Sequence, residues 1–173
     1  MSVKPFLVTG AATAAAAVLG SAATDVQSRW YRRLDLPGWQ PPGQVIGQVW
    51  TVLYASIAGA TGRAWNRANP AQQRRLAAAL GVNLCLNAAW PWMFFRGHRP
   101  ALGAAVIGGL EASTVILTRE VARADRKAAI ALLPYLGWNA FALVLNATIA
   151  ARNPSGRHAG GSAPAHASRQ DQQ

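Results

Sequence analysis

Aromatic and carboxamide side chains recur at helical spacing in three separate apolar segments, and they are the residues best suited to hold a small molecule. Trp50 and Tyr54 are four residues apart, so they share one face of a helix. Two further stripes follow 4, 3, 4 spacing: Asn83, Asn87, Trp90 and Phe94, and Tyr135, Asn139, Ala142 and Asn146 with Trp138 beside them. Three such stripes predict a largely apolar cavity with a few oriented hydrogen-bonding groups. Flat aromatic walls would suit a planar, partly apolar ligand.

The carboxamides in these stripes also have a simpler interpretation. An amide in an apolar helix is costly to leave unpaired, so it must face protein, water or a ligand rather than lipid. Helices in a membrane use the same groups to hydrogen-bond to one another. The stripes therefore fit either a ligand site or a structural scaffold in which they only pack together.

The residue types that usually carry catalysis are scarce in the apolar segments. Glu111 stands alone, His98 lies in a loop, and His158 and His166 lie near the C-terminus. Cys85 is the only cysteine, which excludes an intrachain disulfide and a cysteine metal cluster. No histidine lies in an apolar segment, so these segments offer no imidazole as an axial ligand to a haem iron. We therefore predict that no cofactor or metal is required, and favour binding over catalysis without settling the choice.

Glu111 is the one ionisable side chain near the middle of a predicted span. Burying such a group costs about 2.5–3.5 kcal/mol on insertion scales, which makes it a functional candidate. The alternative is a protonated glutamate that hydrogen-bonds to a neighbouring helix.

Five apolar windows must position these side chains. The chain is 51% hydrophobic and only 13% charged, and its charges are concentrated in loops. A spanning helix needs about 20 mostly apolar residues. The windows cover about residues 4–24, 44–65, 76–95, 100–118 and 128–151. A soluble bundle would need a charged outer face that these windows do not show. The sequence therefore predicts an all-α integral membrane bundle of five transmembrane helices, formed by residues 1–152, with a disordered tail at 153–173.

The net charge of +11 invites a nucleic-acid interpretation. The 17 lysines and arginines lie in loops and the tail rather than along one helix face, so we predict no nucleic-acid binding and expect them to meet lipid headgroups. The orientation of the protein in the membrane stays open, because the segments on its two sides contain similar numbers of basic residues.

A proline-rich loop precedes the second span. Pro37, Pro41 and Pro42 restrict the backbone on both sides of Trp39. We predict that this loop lies as a lid over the mouth of the aromatic helix that begins near Gln44.

The first span has two interpretations. Small residues at its end resemble the cleavage site of a signal peptide. Alternatively, Gly10 with Ala14, and Ala16 with Gly20, form small-xxx-small pairs that let helices approach closely. Such pairs would serve packing inside the bundle or contact in a homodimer.

Several ordered motifs resemble the translocator protein family, which includes the tryptophan-rich sensory proteins of bacteria and the peripheral benzodiazepine receptor of mitochondria. They are W-Y-R-R-L-D-L-P-G-W-Q-P-P, V-W-T-V-L-Y, L-N-A-A-W-P-W-M-F-F and P-Y-L-G-W-N-A-F-A-L-V-L-N. The resemblance covers roughly residues 5–152.

The resemblance implies a five-helix bundle, often homodimeric, that binds porphyrins, haem-type tetrapyrroles, sterols and isoquinoline or benzodiazepine ligands beneath its first loop. It assigns pocket roles to Tyr31, Trp39, Pro42, Trp50, Tyr54, Asn87, Trp90, Phe94 and Trp138. The chain departs from the family pattern at three places. Gln44, Val45 and Ile46 replace an aromatic run, Ala147 replaces the tyrosine of animal members, and Val106 replaces an aspartate.

The expected function is that of a membrane receptor or transporter for planar hydrophobic ligands such as porphyrins, in tetrapyrrole transport or stress sensing. The alternatives are an enzyme of light- or oxygen-dependent porphyrin degradation, and a scaffold without a ligand. We expect a multi-pass protein of a bacterial cell membrane rather than of the mitochondrial outer membrane, in contact with lipid and homodimeric.

Overall fold

The computed structural model of the protein describes residues 2–154. This part of the chain is helical and contains no strand. The helices are α1 (Lys4–Ala23), α2 (Gly43–Trp65), α3 (Pro70–Pro91), α4 (Pro100–Ala124), α5 (Arg126–Ile130) and α6 (Leu133–Arg152). Five segments are long and apolar enough to cross a membrane: α1, α2, α3 with the turn that follows it, α4, and α5 with α6. The predicted all-α bundle of five transmembrane helices is confirmed.

Two short helical turns accompany these elements. A 3₁₀ turn, Tyr31–Arg33, lies in the loop after α1. A π-helical turn, Trp92–Arg96, continues α3 beyond Pro91. Proline has no backbone N–H and disturbs a regular α-helix, which accounts for the change of helix type at this point.

Helix α3 begins at Pro70 rather than near residue 76. The Asn69 side chain accepts a hydrogen bond from the Gln72 N–H at 2.9 Å, and the Gln72 side chain accepts one from the Asn69 N–H at 2.9 Å. This reciprocal capping box, with proline at the first helical position, starts a helix. Asn69-Pro70 thus starts α3 earlier than the apolar window indicates.

Helix α4 continues to Ala124, whereas the sequence predicts an end near residue 118 and a loop for the charged residues beyond it. Leu117 and Val121 are fully buried at the end of this helix. Their burial against the bundle keeps the chain helical.

The fifth predicted span, 128–151, consists of two helices. Asp125 caps the short helix α5, and a turn at residues 131–132 separates it from α6. Pro134 lies in the first turn of α6, where a proline is tolerated because its missing N–H would have no helical partner. Of the predicted disordered tail, residues 155–173 lie outside the described part of the chain.

The helices pack mainly as α4 against α3 and α6, and as α1 against α2 and α3. The largest buried cluster includes Ile57, Leu76, Leu117, Leu132 and Tyr135. A second, smaller cluster lies toward the opposite end of the bundle and contains Phe94, Phe95, Leu145 and Ile149. The bundle therefore has two ends with different packing.

The first end, termed the ion-pair end, joins the ends of α2 and α4 to the starts of α3 and α5. Asp125 is 4% exposed and lies 2.6 Å from both Arg63 Nε and Arg67 Nη1. Its other oxygen accepts hydrogen bonds from the backbone N–H groups of Lys127 and Ala128. Burial alone would raise the pKa of Asp125, but the hydrogen bonds from Arg63 and Ala128 and the two arginine charges leave it below the ordinary value.

The second end, termed the loop end, comprises residues 24–42, the π turn and the end of α6. Asp35 donates its N–H to Asn153 Oδ1 at 3.0 Å, and its carbonyl accepts from Asn153 Nδ2 at 3.1 Å. The Trp30 ring lies against His98 with a centroid distance of 4.7 Å. These contacts hold the proline-rich loop against α6 and against the loop before α4.

Candidate ligand-binding cavity

A cavity of about 480 Å³ lies at the loop end, between the five spans and the loop of residues 24–42, termed the covering loop. Its walls are mainly aromatic. The rings come from Tyr31, Trp50, Tyr54, Trp90, Phe94, Phe95, Trp138 and Phe141. Among the described residues that line it, none is Asp, Glu, Lys, Arg or His. The cavity is therefore suited to an apolar body with a few hydrogen-bonding groups.

Seven of the nine residues predicted for the site line this cavity. They are Tyr31, Trp50, Tyr54, Asn87, Trp90, Phe94 and Trp138. They come from the covering loop, α2, α3 with its π turn, and α6, so segments far apart in the sequence meet around one space. Their roles in binding stay a prediction, whereas their shared location is observed.

Trp39 and Pro42, the other two predicted residues, do not line the cavity. Trp39 is 48% exposed and packs edge-on against Phe141, with a centroid distance of 5.7 Å. Because Phe141 is a wall residue, Trp39 supports the wall from outside. Pro42 is exposed and directly precedes α2, where its fixed φ suits the start of a helix.

The floor of the cavity is held by a chain of hydrogen bonds between three helices. Tyr54 donates its O–H to Asn87 Oδ1 at 2.7 Å. Asn87 Nδ2 donates to the Tyr135 hydroxyl oxygen at 3.0 Å, and Tyr135 donates its own O–H to Asn83 Oδ1 at 3.0 Å. Tyr54 has only one hydroxyl proton, so toward a ligand its oxygen can only accept. Asn87 keeps one N–H that is free to donate.

The chain of hydrogen bonds continues behind the floor into α4. Asn83 Nδ2 donates to Ser113 Oγ and to Thr114 Oγ1, both at 2.9 Å. Asn139 Nδ2 also donates to Thr114 Oγ1 at 2.9 Å. The polar groups of three spans therefore pair with one another inside the bundle, although Asn139 Oδ1 is buried without a partner among the described residues. The stripes both pack together and border a cavity, so the two interpretations of the sequence are compatible.

Hydrogen bonds also fix the upper wall. Trp90 Nε1 donates to Asn146 Oδ1 at 3.0 Å, and the Trp90 ring stacks on Phe94 with a centroid distance of 5.5 Å. In the covering loop, Gln40 Nε2 donates to the Tyr31 hydroxyl at 2.8 Å. Tyr31 thus keeps its own hydroxyl proton for another acceptor. At this end the cavity can donate hydrogen bonds, whereas the Tyr54 hydroxyl at the floor can only accept.

Several lining residues were missed by the sequence analysis. Phe141, Leu145 and Ile149 follow Trp138 at helical spacing along α6, so the signal was present. It was overlooked because the amide stripe on the neighbouring face was followed instead. Gln40 and Ile107 gave no comparable signal, because each is a single residue placed by the tertiary fold.

Glu111 does not line the cavity. It is half-buried on α4, and its Oε2 atom is buried without a hydrogen-bond partner among the described residues. The structure thus gives Oε2 neither a place at the cavity nor the interhelical hydrogen bond of the alternative interpretation.

The five spans and the internal cavity define a multi-pass integral membrane protein, as the sequence predicted. Residues 8–152 match the TspO/MBR family. The chain is 33% identical to the translocator protein of Ovis aries over 126 residues, which cover 68% of this chain and 71% of that protein. It is 32% identical over 141 residues to the tryptophan-rich protein TspO of Chlorobaculum tepidum, covering 78% and 87% respectively.

A third relative is archaeal. The tryptophan-rich protein TspO of Archaeoglobus fulgidus is 36% identical over 120 residues, which cover 69% of this chain and 77% of that protein. The chain therefore belongs to the TspO/MBR family, and the resemblance seen in the sequence motifs is confirmed.

Proposed function

We propose that this protein is a membrane receptor or carrier that binds porphyrin or haem-type tetrapyrroles, and related planar hydrophobic molecules, for tetrapyrrole transport or stress sensing. The observation that carries the proposal is the uncharged, aromatic-walled cavity of about 480 Å³. This volume lies within the range of roughly 300–1,000 Å³ that is usual for small-molecule sites. The name translocator protein, carried by relatives, supports a role in translocation.

The lining dictates how a tetrapyrrole would be oriented. A carboxylate placed among uncharged side chains would lose its hydration without gaining a partner. The macrocycle therefore belongs among the rings and the carboxylates belong at the loop end. There the covering loop carries the residues Arg29, Arg32 and Arg33, which can pair with carboxylates.

The lining also predicts whether a metal in the porphyrin affects its affinity for the cavity. No histidine borders the cavity among the described residues, so the protein offers no imidazole to iron. Stacking on Trp50, Trp90 and Trp138 would hold metal-free porphyrin and haem alike. We expect the two ligands to bind with Kd values of the same order.

Tryptophan fluorescence titrated with protoporphyrin IX, with the protein in lipid nanodiscs, tests the proposal. Saturable quenching is expected for the natural chain. The Kd derived from it should rise at least about tenfold in Trp50→Ala and in Trp138→Ala, since each variant loses the stacking area of one indole. Trp65→Ala is the matched control. Trp65 lies on the same helix as Trp50, about 22 Å along its axis, and does not line the cavity.

Equal quenching in all three variants would contradict a specific site. A rise in Tm with added porphyrin would separate a ligand-binding protein from a scaffold, because a ligand that binds the native state must stabilise it. Chromatography of the porphyrin recovered after illumination would show whether it is also chemically altered.

A further inference from the structure

The cavity-lining residues that are exposed at the outer surface lie on one side of the bundle. The lining residues contributed by α3, its π turn, α4 and α6 are buried or half-buried. The exposed ones belong to the end of α1, the start of α2 and the loop between them. Val18 and Ser21 on α1, and Gly43, Gly47 and Thr51 on α2, are all exposed. The cavity therefore opens between α1 and α2.

Both α1 and α2 contribute residues to this opening, although the two helices touch elsewhere. Toward the ion-pair end the two helices touch: Thr9 Oγ1 donates to the Ala58 carbonyl at 2.9 Å, and a Cβ at Gly62 would lie 2.7 Å from the Phe6 ring. At the other end of α2, a Cβ at Gly43 or at Gly47 would have no atom within 4 Å. The helices thus leave a slot at the loop end, bordered by small side chains.

The slot lies within two membrane spans, because its borders belong to Lys4–Ala23 and Gly43–Trp65. Val18, Ser21, Gly47 and Thr51 carry no charge, and Val18 is 66% exposed. Such a border would meet acyl chains without the desolvation cost of a charged group.

The route from the water side is obstructed by the covering loop. Asn153 binds both the N–H and the C=O of Asp35, and Arg152 donates to the Leu36 carbonyl. Trp30 and Tyr31 pack on Phe94 and Phe95 beneath that loop. A ligand arriving from above would have to break these contacts, whereas one arriving from the side would not.

We propose that ligands enter and leave the cavity sideways, from the hydrocarbon of the bilayer, through the slot between α1 and α2 bordered by Val18, Ser21, Gly47 and Thr51. This inference rests on the proposed function, since it concerns the ligand of the same cavity. It makes the slot, rather than the covering loop, the step that controls the rate of exchange.

The test compares Gly47→Leu with Gly59→Leu by stopped-flow fluorescence, using protoporphyrin IX and protein in nanodiscs. A Cβ at either glycine of α2 would have no atom within 4 Å, but only Gly47 lines the cavity. We expect Gly47→Leu to slow association and dissociation together, each roughly tenfold, because crowding in the slot raises the barrier in both directions. Gly59→Leu should bind and exchange the ligand like the natural chain. If Gly47→Leu still binds porphyrin saturably and its association and dissociation rates equal those of the natural chain, the proposed route through the slot is wrong.

A readout without ligand keeps this inference separate from the proposed function. A nitroxide attached at Thr51→Cys, in a Cys85→Ala background, should be relaxed more by dissolved oxygen than by a water-soluble nickel chelate. Val82, which is 55% exposed on α3, supplies the acyl-chain reference, and Gly38 in the covering loop supplies the aqueous one. A nitroxide at residue 51 that resembles the one at residue 38 would disprove the lateral route even if porphyrin binds. Absence of porphyrin binding with a lipid-like nitroxide would disprove only the proposed function.

Discussion

At the ion-pair end α1 and α2 touch, whereas at the loop end the helices surround a cavity. The first end is closed by a buried carboxylate between two arginines and by the close approach of α1 to α2 at Gly62. The second end is lined by aromatic rings and is tied together by its covering loop through Asn153. The buried ion pair and the cavity thus lie at opposite ends of the same helices.

The contrast shows how a small membrane bundle can keep a hollow without collapsing around it. Lipid tails give little hydrophobic drive for helices to associate, so close packing and hydrogen bonds must supply it. Such contacts occur at the ion-pair end and among the hydrogen-bonded side chains that include Tyr54, Asn87 and Tyr135. The loop end can then expose its aromatic side chains to the cavity, where a ligand could contact them.

The largest expected effect is the loss of the ion-pair end. Asp125→Ala removes the partner of Arg63 and Arg67 and the cap of α5, so we expect this substitution to lower Tm more than any other in the series. Asp35→Ala is the matched control at the loop end. The Asp35 side chain is 68% exposed and lies 3.5 Å from Arg152, and such exposed pairs contribute little. Similar Tm values for the two variants would contradict the prediction that the ion pair at Asp125 stabilises the protein more than the one at Asp35.

The pH dependence of Tm tests the same carboxylate. Because the pKa of Asp125 is lowered in the folded protein, its contribution is present above the unfolded value of about 4 and is lost as pH falls through the folded value. We expect Tm of the natural chain to fall in this acidic range, and the fall to be smaller in Asp125→Asn. Parallel pH profiles for the two proteins would contradict the assignment.

A smaller effect is expected at the contact of α1 with α2. Gly62→Ala would place a Cβ 3.1 Å from the Phe6 Cα, which is backbone and cannot turn aside. Overpacking of this kind costs about 1–3 kcal/mol. Gly59→Ala, three residues earlier and with open space around its Cβ position, should instead stabilise the protein by up to about 1 kcal/mol. Thermal unfolding of both variants in one lipid would show whether the signs differ as expected.

The smallest effect concerns the floor that joins the two regions. Tyr135→Phe removes the hydroxyl between Asn87 and Asn83, and interhelical hydrogen bonds in membranes contribute about 0.6–1.7 kcal/mol. We expect a modest fall in Tm and a weaker affinity for porphyrin, because Asn87 is then held only by its hydrogen bond from Tyr54. Unchanged affinity would place the floor outside the binding surface.

The sequence predicted the spans well because apolar length and loop charge decide them. It missed the helical start of α3, although Asn69 and Gln72 carry the spacing of a capping box. It also ended α4 too early, because charged residues near 120 resemble a loop. They remain helical because Arg75 and Arg123 lie beside Glu120, and because Val121 is buried.

For the candidate site, helical spacing was sufficient where a side chain belongs to a span. Trp50, Asn87 and Trp138 line the cavity as their stripes predicted. Trp39 was harder to place, because a rigid loop fixes backbone direction but not which neighbour the ring will meet. Its contact with Phe141 depends on how the loop crosses α6, and no local pattern encodes that crossing.

The position of the slot between α1 and α2 has a consequence for which half of the membrane it faces. The gap involves the last turns of α1 and the first turns of α2, so it faces only the half of the membrane nearest the covering loop. On the proposed lateral route, ligands dissolved in the opposite leaflet would have to flip across the bilayer before they could reach the slot. The rate of transbilayer flip-flop would then set the supply from that leaflet.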